Sequence, residues 1–313
     1  MAERVAIVGA GVSGLTCGVV LAERGFQTAI FAKETGQQTT SGAAAAIWFP
    51  YDAQPAEKVI PWALETYKAL IDLTADPRSG VSMIDLRQFS RTAGIQIPDW
   101  AIPLGAGAVA TGLRPVFNSG FSLRVPLMDT TIYLDYLAGR FEKAGGEIHA
   151  SVRFEKLEEA DRDFDLVINC AGIGARELVR DTELEPHRGQ VVIVPRVEDL
   201  SCAIVCDDAP LMYAIPRTND CVFGGTNDLS SDLAADPATT NSIIAECSRV
   251  LNIERPNVLA ARVGLRPFRK SGVRLEREKL RDGRIVIHNY GHGGSGFTLS
   301  WGCAREVLDI ATQ

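Results

Sequence analysis

No stretch of the sequence stays apolar for the ~18 residues that a membrane-spanning helix needs. No Lys/Arg run occurs, and acidic residues outnumber basic ones 39 to 32, for a net charge of −7. Such a surface repels nucleic acid and offers no polybasic membrane anchor. Cysteine is sparse and odd in number, with seven spread from Cys17 to Cys303. A chain of this length buries a sizeable core without disulfide staples, so the thiols point to a reducing compartment. Cys202 and Cys206 lie close together, but no further Cys or His stands nearby at zinc-site spacing, and no metal is expected. Internal repeats and low-complexity tracts are missing. The apolar segment from Val5 to Leu21 is interrupted by four glycines and lacks a following Ala-x-Ala site, so it does not read as a signal peptide. The last residues are no peroxisomal tripeptide. A cytoplasmic location is the expectation.

What is present is ordinary in bulk and informative in order. Hydrophobic residues make up 46% and charged residues 23% of 313 positions, the balance of a globular protein with one large domain or two interleaved ones. Arg4-Val5-Ala6-Ile7-Val8 reads as a short buried strand. Gly9-Ala10-Gly11-Val12-Ser13-Gly14 follows, then apolar residues at helical spacing up to Gly25, then a second strand, Gln27 to Phe31. This strand–turn–helix–strand order is the context in which G-x-G-x-x-G marks a dinucleotide site. Gly9 permits the tight turn, Gly11 lets backbone approach a pyrophosphate, and Gly14 lets helix pack on strand. The helix N-terminus offers N–H donors and a positive dipole end to the phosphates. The acidic ribose partner expected about 20 residues on falls at Glu34, preceded by Lys33, and the pattern leaves open which of the two faces the ribose.

The motif alone does not separate nicotinamide from flavin. Two further glycine-rich segments bear on that choice. Leu166-Val167-Ile168-Asn169 is a strand that runs into Cys170-Ala171-Gly172. Ile285 to Tyr290 is another, followed by Gly291-His292-Gly293-Gly294-Ser295-Gly296 and a last helix from Phe297 and Thr298 to Ile310. A second glycine-rich turn between strand and helix gives a second place for close backbone approach and anion stabilisation. A nicotinamide site does not need it; a flavin, larger and anionic when reduced, uses it.

Val263-Gly264-Leu265-Arg266-Pro267, Met212-Tyr213-Ala214-Ile215-Pro216-Arg217 and the His288–Gly296 segment, taken with Gly9–Gly14, resemble the FAD-dependent D-amino acid oxidase family. Thr39-Thr40-Ser41 and Ala44-Ala45-Ala46-Ile47-Trp48-Phe49-Pro50-Tyr51 resemble its flavin-contact stretch. The likeness runs in order along almost the whole chain. It implies an α/β fold, a Rossmann-like FAD-binding domain interleaved with a mostly antiparallel β substrate-binding domain. The first would take 1–50, 130–190 and 260–313, and the second 51–129 and 191–259.

Read without the family, Arg266 is either a strand-edge arginine paired with an acid or a bidentate clamp for a carboxylate. The resemblance selects the clamp, counts Arg266 among the FAD contacts as well, and has Tyr213 donate its hydroxyl to the same carboxylate and the Gly294 carbonyl take the substrate amine. It also places the Val152 backbone at the adenine. The implied reaction is hydride transfer from Cα–H to flavin N5, giving a 2-oxo acid, ammonia and, with O2, hydrogen peroxide. Neutral D-amino acids are the expected substrates, and a glycine/sarcosine-type or D-aspartate-preferring oxidase is the alternative. For the latter an extra cation is needed, and Arg217, Arg124 and Arg114 are candidates that by default are solvated surface residues. A second tyrosine of some family members would fall at Ala209, so the cover over the pocket differs here. His292 is read as structural. A homodimer is the assembly expected.

Overall fold

The computed structural model describes residues 3–92, 94–111 and 116–313. In chain order the strands are β1 (Arg4–Val8), β2 (Gln27–Ala32), β3 (Val81–Ser90), β4 (Gly107–Ala108), β5 (Ser119–Met128), β6 (Glu147–Ala150), β7 (Leu166–Asn169), β8 (Leu184–Pro195), β9 (Cys202–Cys206), β10 (Met212–Pro216), β11 (Asp220–Gly224), β12 (Asp228–Leu229), β13 (Ala260–Arg269), β14 (Arg274–Lys279) and β15 (Ile285–Tyr290). The helices are α1 (Val12–Glu23), α2 (Thr40–Ala43), α3 (Ala56–Leu73), α4 (Thr130–Lys143), α5 (Ala175–Leu178), α6 (Pro237–Leu251) and α7 (Gly296–Ala311).

Two sheets result. The first has the order β14-β15-β7-β1-β2-β6 and is parallel except at its β14 edge. Its central strands are buried on both faces, as the uninterrupted apolar run in β1 requires. Val5 and Ile7 join the core under α1 and α7, whereas Ala6 and Val8 turn to a separate cluster with Val167 and Phe164. This is the Rossmann-like unit.

The second sheet has nine strands and is antiparallel at every pairing except β3 with β9. Strict alternation divides its residues between two faces. Val191, Val205, Tyr213 and Ile215 pack toward the first sheet, while Val192, Ile204, Met212 and Phe223 lie under Ile243, Ile244 and Cys247 of α6. The segment 260–313 is shared between the sheets: β13 pairs with β8 in the larger one, and β14, β15 and α7 belong to the first.

Residues 51–129 look aperiodic in sequence, yet they contain the 18-residue helix α3 with Pro61 inside it. Burial of Val59, Trp62, Ala63, Thr66, Leu70 and Leu73 along one face holds that helix. Tertiary packing thus outweighs the missing hydrogen bond and the ring clash of an internal proline.

All seven cysteines are buried, and none is in a disulfide. The native protein should therefore be inert to a water-soluble disulfide reagent, and seven thiols should titrate after unfolding. Rapid reaction of even one thiol in the native state would contradict this packing.

Candidate active site

A cavity of about 910 Å³ lies between the two sheets. From the first sheet come Gly9, Gly11, Val12 and Ser13 of the turn after β1, Lys33 and Glu34 after β2, Val152 after β6, and Cys170, Ala171 and Gly172 after β7. These are C-terminal ends of parallel strands, where open α/β sheets bind ligands. Thr39, Thr40, Ser41, Ala45, Ala46 and Ile47 form a bridging wall. Gly293, Gly294, Gly296, Phe297 and Thr298 face it from the start of α7, and Arg266 and Tyr213 from the larger sheet.

The glycines of the first turn fit a close-approaching phosphate chain. Gly9 has φ +109°, and a Cβ there would stand 2.4 Å from the Cys170 carbonyl oxygen. The Val12 N–H donates to Ser41 Oγ at 3.0 Å, and α1 begins with no side-chain cap and no acidic residue in its first turn. Its positive end is therefore open to an anion. The same holds at α7, where the N-cap Ser295 does not cap the helix. Its hydroxyl instead accepts from the Tyr51 N–H at 2.7 Å. Two helix N-termini thus meet one cavity, one on each glycine-rich turn.

Three expected contact residues do not line the cavity. Gly14 packs inward, and a Cβ on it would lie 1.9 Å from the Gly9 carbonyl oxygen. Gly291 turns against Arg269, and Ser295 anchors Tyr51. Lys33 and Glu34 both line the cavity and pair with each other at 3.0 Å.

In β13, Arg266 stands opposite His187, while Gly264 stands opposite Gly189. Gly189 makes room for the guanidinium: a Cβ there would lie 2.4 Å from Arg266 Nη1. Arg266 donates from Nη1 to the Thr226 carbonyl at 2.9 Å and to Asn227 Oδ1 at 3.2 Å. Among the described residues no carboxylate pairs with it, which removes the reading of a strand-edge ion pair. A guanidinium held by neutral acceptors and facing a cavity keeps its charge for an incoming anion.

Tyr213 crosses from β10 over Gly224 and Gly225, which have no side chains to obstruct it. A Cβ on Gly224 would be 1.9 Å from Tyr213 Cζ. Burial raises the phenol pKa, with Arg266 pulling the other way, so the hydroxyl stays a donor at neutral pH. Tyr51 leans over Gly294, and its pKa is pushed up to about 12, chiefly by burial. His292 is buried, shares a hydrogen bond with Asn289 Oδ1 at 3.0 Å and is held neutral by burial, with its pKa lowered to about 4. It also lines the cavity.

Sequence reading overlooked Gly189, Gly224, Gln88 and Asp207, and assigned no role to Tyr51. Only the sheet register brings Gly189, Gln88 and Asp207 to this wall and Gly224 beneath the Tyr213 ring, and register is non-local. Arg217 is corrected: it is not a surface residue but 5% exposed, paired with Asp220 at 2.7 Å. Arg124 is exposed and pairs with Asp85. Arg114 lies outside the described residues. Ala209 is not on the cavity wall, whereas Leu211 and Leu233 are, Leu233 with 61% of its surface open.

A nicotinamide cofactor uses the first cradle and leaves the second without purpose. Two cradles at one cavity, with an arginine-bearing sheet across from them, define a flavoprotein oxidoreductase. The chain belongs to the family of FAD dependent oxidoreductases, whose pattern matches residues 4–310. It is 40% identical to a D-amino-acid oxidase from Rubrobacter xylanophilus, over 98% of this chain and 95% of that protein. It is 32% identical to the human D-aspartate oxidase, over 99% of this chain and 95% of that protein. Its fold is similar to the crystal structure of glycine oxidase from Geobacillus kaustophilus, with a TM-score of 0.85 and 19% identity, covering 99% of this chain and 95% of that one. FAD is the cofactor of the family, and the two glycine-lined helix starts suit its pyrophosphate and its ring.

Proposed function

We propose that the protein is a D-amino-acid oxidase, converting a D-amino acid to a 2-oxo acid and ammonia. The observation that carries this reading is Arg266, a cation without a carboxylate partner among the described residues, facing the same cavity as Tyr213 and the α7 N-terminus. The six-stranded sheet with its helices serves as the FAD-binding domain and the nine-stranded sheet as the substrate domain.

Arg266 and the Tyr213 hydroxyl hold the substrate carboxylate. The Gly294 carbonyl accepts a hydrogen bond from the amine, which fixes the direction of the Cα–H bond. When bound, FAD would supply the two-electron acceptor for the hydride leaving Cα, and with O2 as final acceptor the by-product would be hydrogen peroxide. Loss of the hydride and of an amine proton leaves an imine, which water hydrolyses. No side-chain base is required, in keeping with a neutral, buried His292. Positioning of this kind is worth up to ~7–11 kcal/mol of barrier. The absence of disulfides among the buried cysteines favours a reducing compartment, the cytoplasm, and a homodimer is the assembly that this reading carries.

The test is the visible spectrum of the purified protein under anaerobic conditions. D-Alanine should bleach the flavin band and L-alanine should not. Bleaching by the L form, or by neither D-alanine nor a panel of other D-amino acids, would overturn the assignment.

A further inference from the structure

The substrate wall of the larger sheet carries an acid that the mechanism does not use. Gln88 of β3 stands opposite Val205 of β9, and Val205 stands opposite Tyr213 of β10. Residues directly opposite share a face, so Gln88, Val205 and Tyr213 form one row, and all three line the cavity. Asp207 comes two residues after Val205, returns to that face and also lines the cavity. It is therefore a diagonal neighbour of Tyr213, at a spacing of about 7–8 Å that long side chains bridge.

Arg91 reaches Cys206 Sγ and the Asp208 carbonyl on either side of Asp207, but the Asp207 carboxylate itself has an amide for a partner, and a vacant acceptor stands beside it. Gln88 Nε2 donates to Asp207 Oδ2 at 2.8 Å. Gln88 is 6% exposed, and its Oε1 is buried with no hydrogen-bond partner. Turning the amide over would set that oxygen against the carboxylate, so the orphan acceptor stays beside the acid. The next carboxylate, Asp208, is committed elsewhere, accepting from the Ser90 hydroxyl at 2.7 Å and the Arg91 N–H at 2.6 Å. Among the described residues no Lys or Arg pairs with Asp207. Burial and the charge of Asp208 hold its carboxyl pKa above the usual range. An anion and a vacant acceptor side by side are complementary to a group with several N–H donors and a positive charge.

We propose that Asp207 and Gln88 receive the side chain of the substrate, and that the favoured side chain is cationic: the ammonium of D-lysine or D-ornithine, or the guanidinium of D-arginine. This rests on the oxidase reading above and replaces the expectation of a neutral substrate. With the carboxylate on Arg266, the stem of the amino acid lies along the wall past Tyr213, and its charged end meets Asp207.

D-Lysine and D-norleucine share the stem and differ in the terminal charge, which makes them the diagnostic pair. The wild type should favour D-lysine in kcat/KM by about 10- to 100-fold, mostly through KM, as for a charge-assisted pair in a partly dry site. Asp207→Asn keeps an acceptor for Gln88 and removes the charge. It should abolish that preference, leave D-norleucine kinetics within about threefold, and retain the flavin spectrum. Oxidation of both substrates with no gain for D-lysine would overturn the side-chain receptor and leave the oxidase reading standing. An equal loss for both in Asp207→Asn would also overturn it, since Asp207 would then act on the common amine. Failure of D-lysine to bleach the flavin would overturn the receptor as well; if the wider panel of D-amino acids failed too, the oxidase reading would fall with it.

Discussion

Arg266→Ala should lower kcat/KM for every amino-acid substrate by between about 30-fold and several thousand-fold, the equivalent of ~2–5 kcal/mol for a desolvated carboxylate losing its partner. The flavin spectrum should be unchanged, because the residue stands on the larger sheet and its backbone stays in the β13–β8 ladder. Part of the loss appears in KM, because the carboxylate is held in the ground state. The remainder appears in kcat, because a substrate anchored only by Tyr213 and Gly294 spends less time with its Cα–H bond in line. Arg266→Lys should recover little of this. A lysine ammonium lacks the planar fork, and the space opposite Gly189 is shaped for the guanidinium, whose Nη1 lies 2.4 Å from where a Cβ would be. Undiminished turnover of Arg266→Ala at low substrate would remove the clamp from the mechanism.

Gly14→Val should yield protein without bound FAD. The new Cβ would fall 1.9 Å from the Gly9 carbonyl oxygen and 3.4 Å from Cys170 Cβ. The Gly9 contact is with backbone, so no rotamer change relieves it. Either α1 lifts from the turn or the turn unwinds from β1. Both displace the N–H groups of the α1 start, and a displacement of about 1 Å there is enough to weaken an anion site built on fixed geometry. Overpacking of this kind costs about 1–3 kcal/mol in stability before the lost cofactor is counted. The flavin absorbance per chain should fall at least about tenfold, the equivalent of ~1.4 kcal/mol in affinity. Gly139→Ala is the control: apart from the adjoining residues and the backbone of its own helix, nothing lies within 4 Å of its Cβ position, so flavin content should be retained. A yellow, fully loaded Gly14→Val protein would refute the role given to this glycine.

Sequence made the first sheet legible because each of its signals is local. The Arg4–Val8 strand, the glycine turn and α1 follow one another within twenty-odd residues, and each fixes its neighbour's conformation. The same is true of β15, its glycine turn and α7. The residues expected to contact the cofactor could therefore be named in advance, and all of them line the cavity except Gly14, Gly291 and Ser295. Arg266 and Tyr213 were legible only through resemblance, because a single Arg or Tyr in a strand carries no mark of its partner. Gly189 and Gly224 could not be read at all. Each is small because of a side chain on another strand, Arg266 for one and Tyr213 for the other. Gln88 and Asp207 likewise lie 119 positions apart and meet only through the parallel pairing of β3 with β9. The helix α3 escaped notice because Pro61 interrupts a pattern that packing later restores.

The chain visits the first sheet in β1 and β2, leaves for β3 to β5, returns in β6 and β7, leaves again for β8 to β13, and comes back in β14 and β15. Four covalent crossings lace the two sheets together. A protein with one linker between its halves can open like a book; here each hinge would have to bend together with three others. The cleft is in effect a fixed frame, and the spacing between the Arg266 wall and the α7 turn is set at folding rather than on encounter. Entry of substrate and exit of product would then depend on short segments at the rim, such as the one bearing the exposed Leu233, rather than on any swing of the sheets.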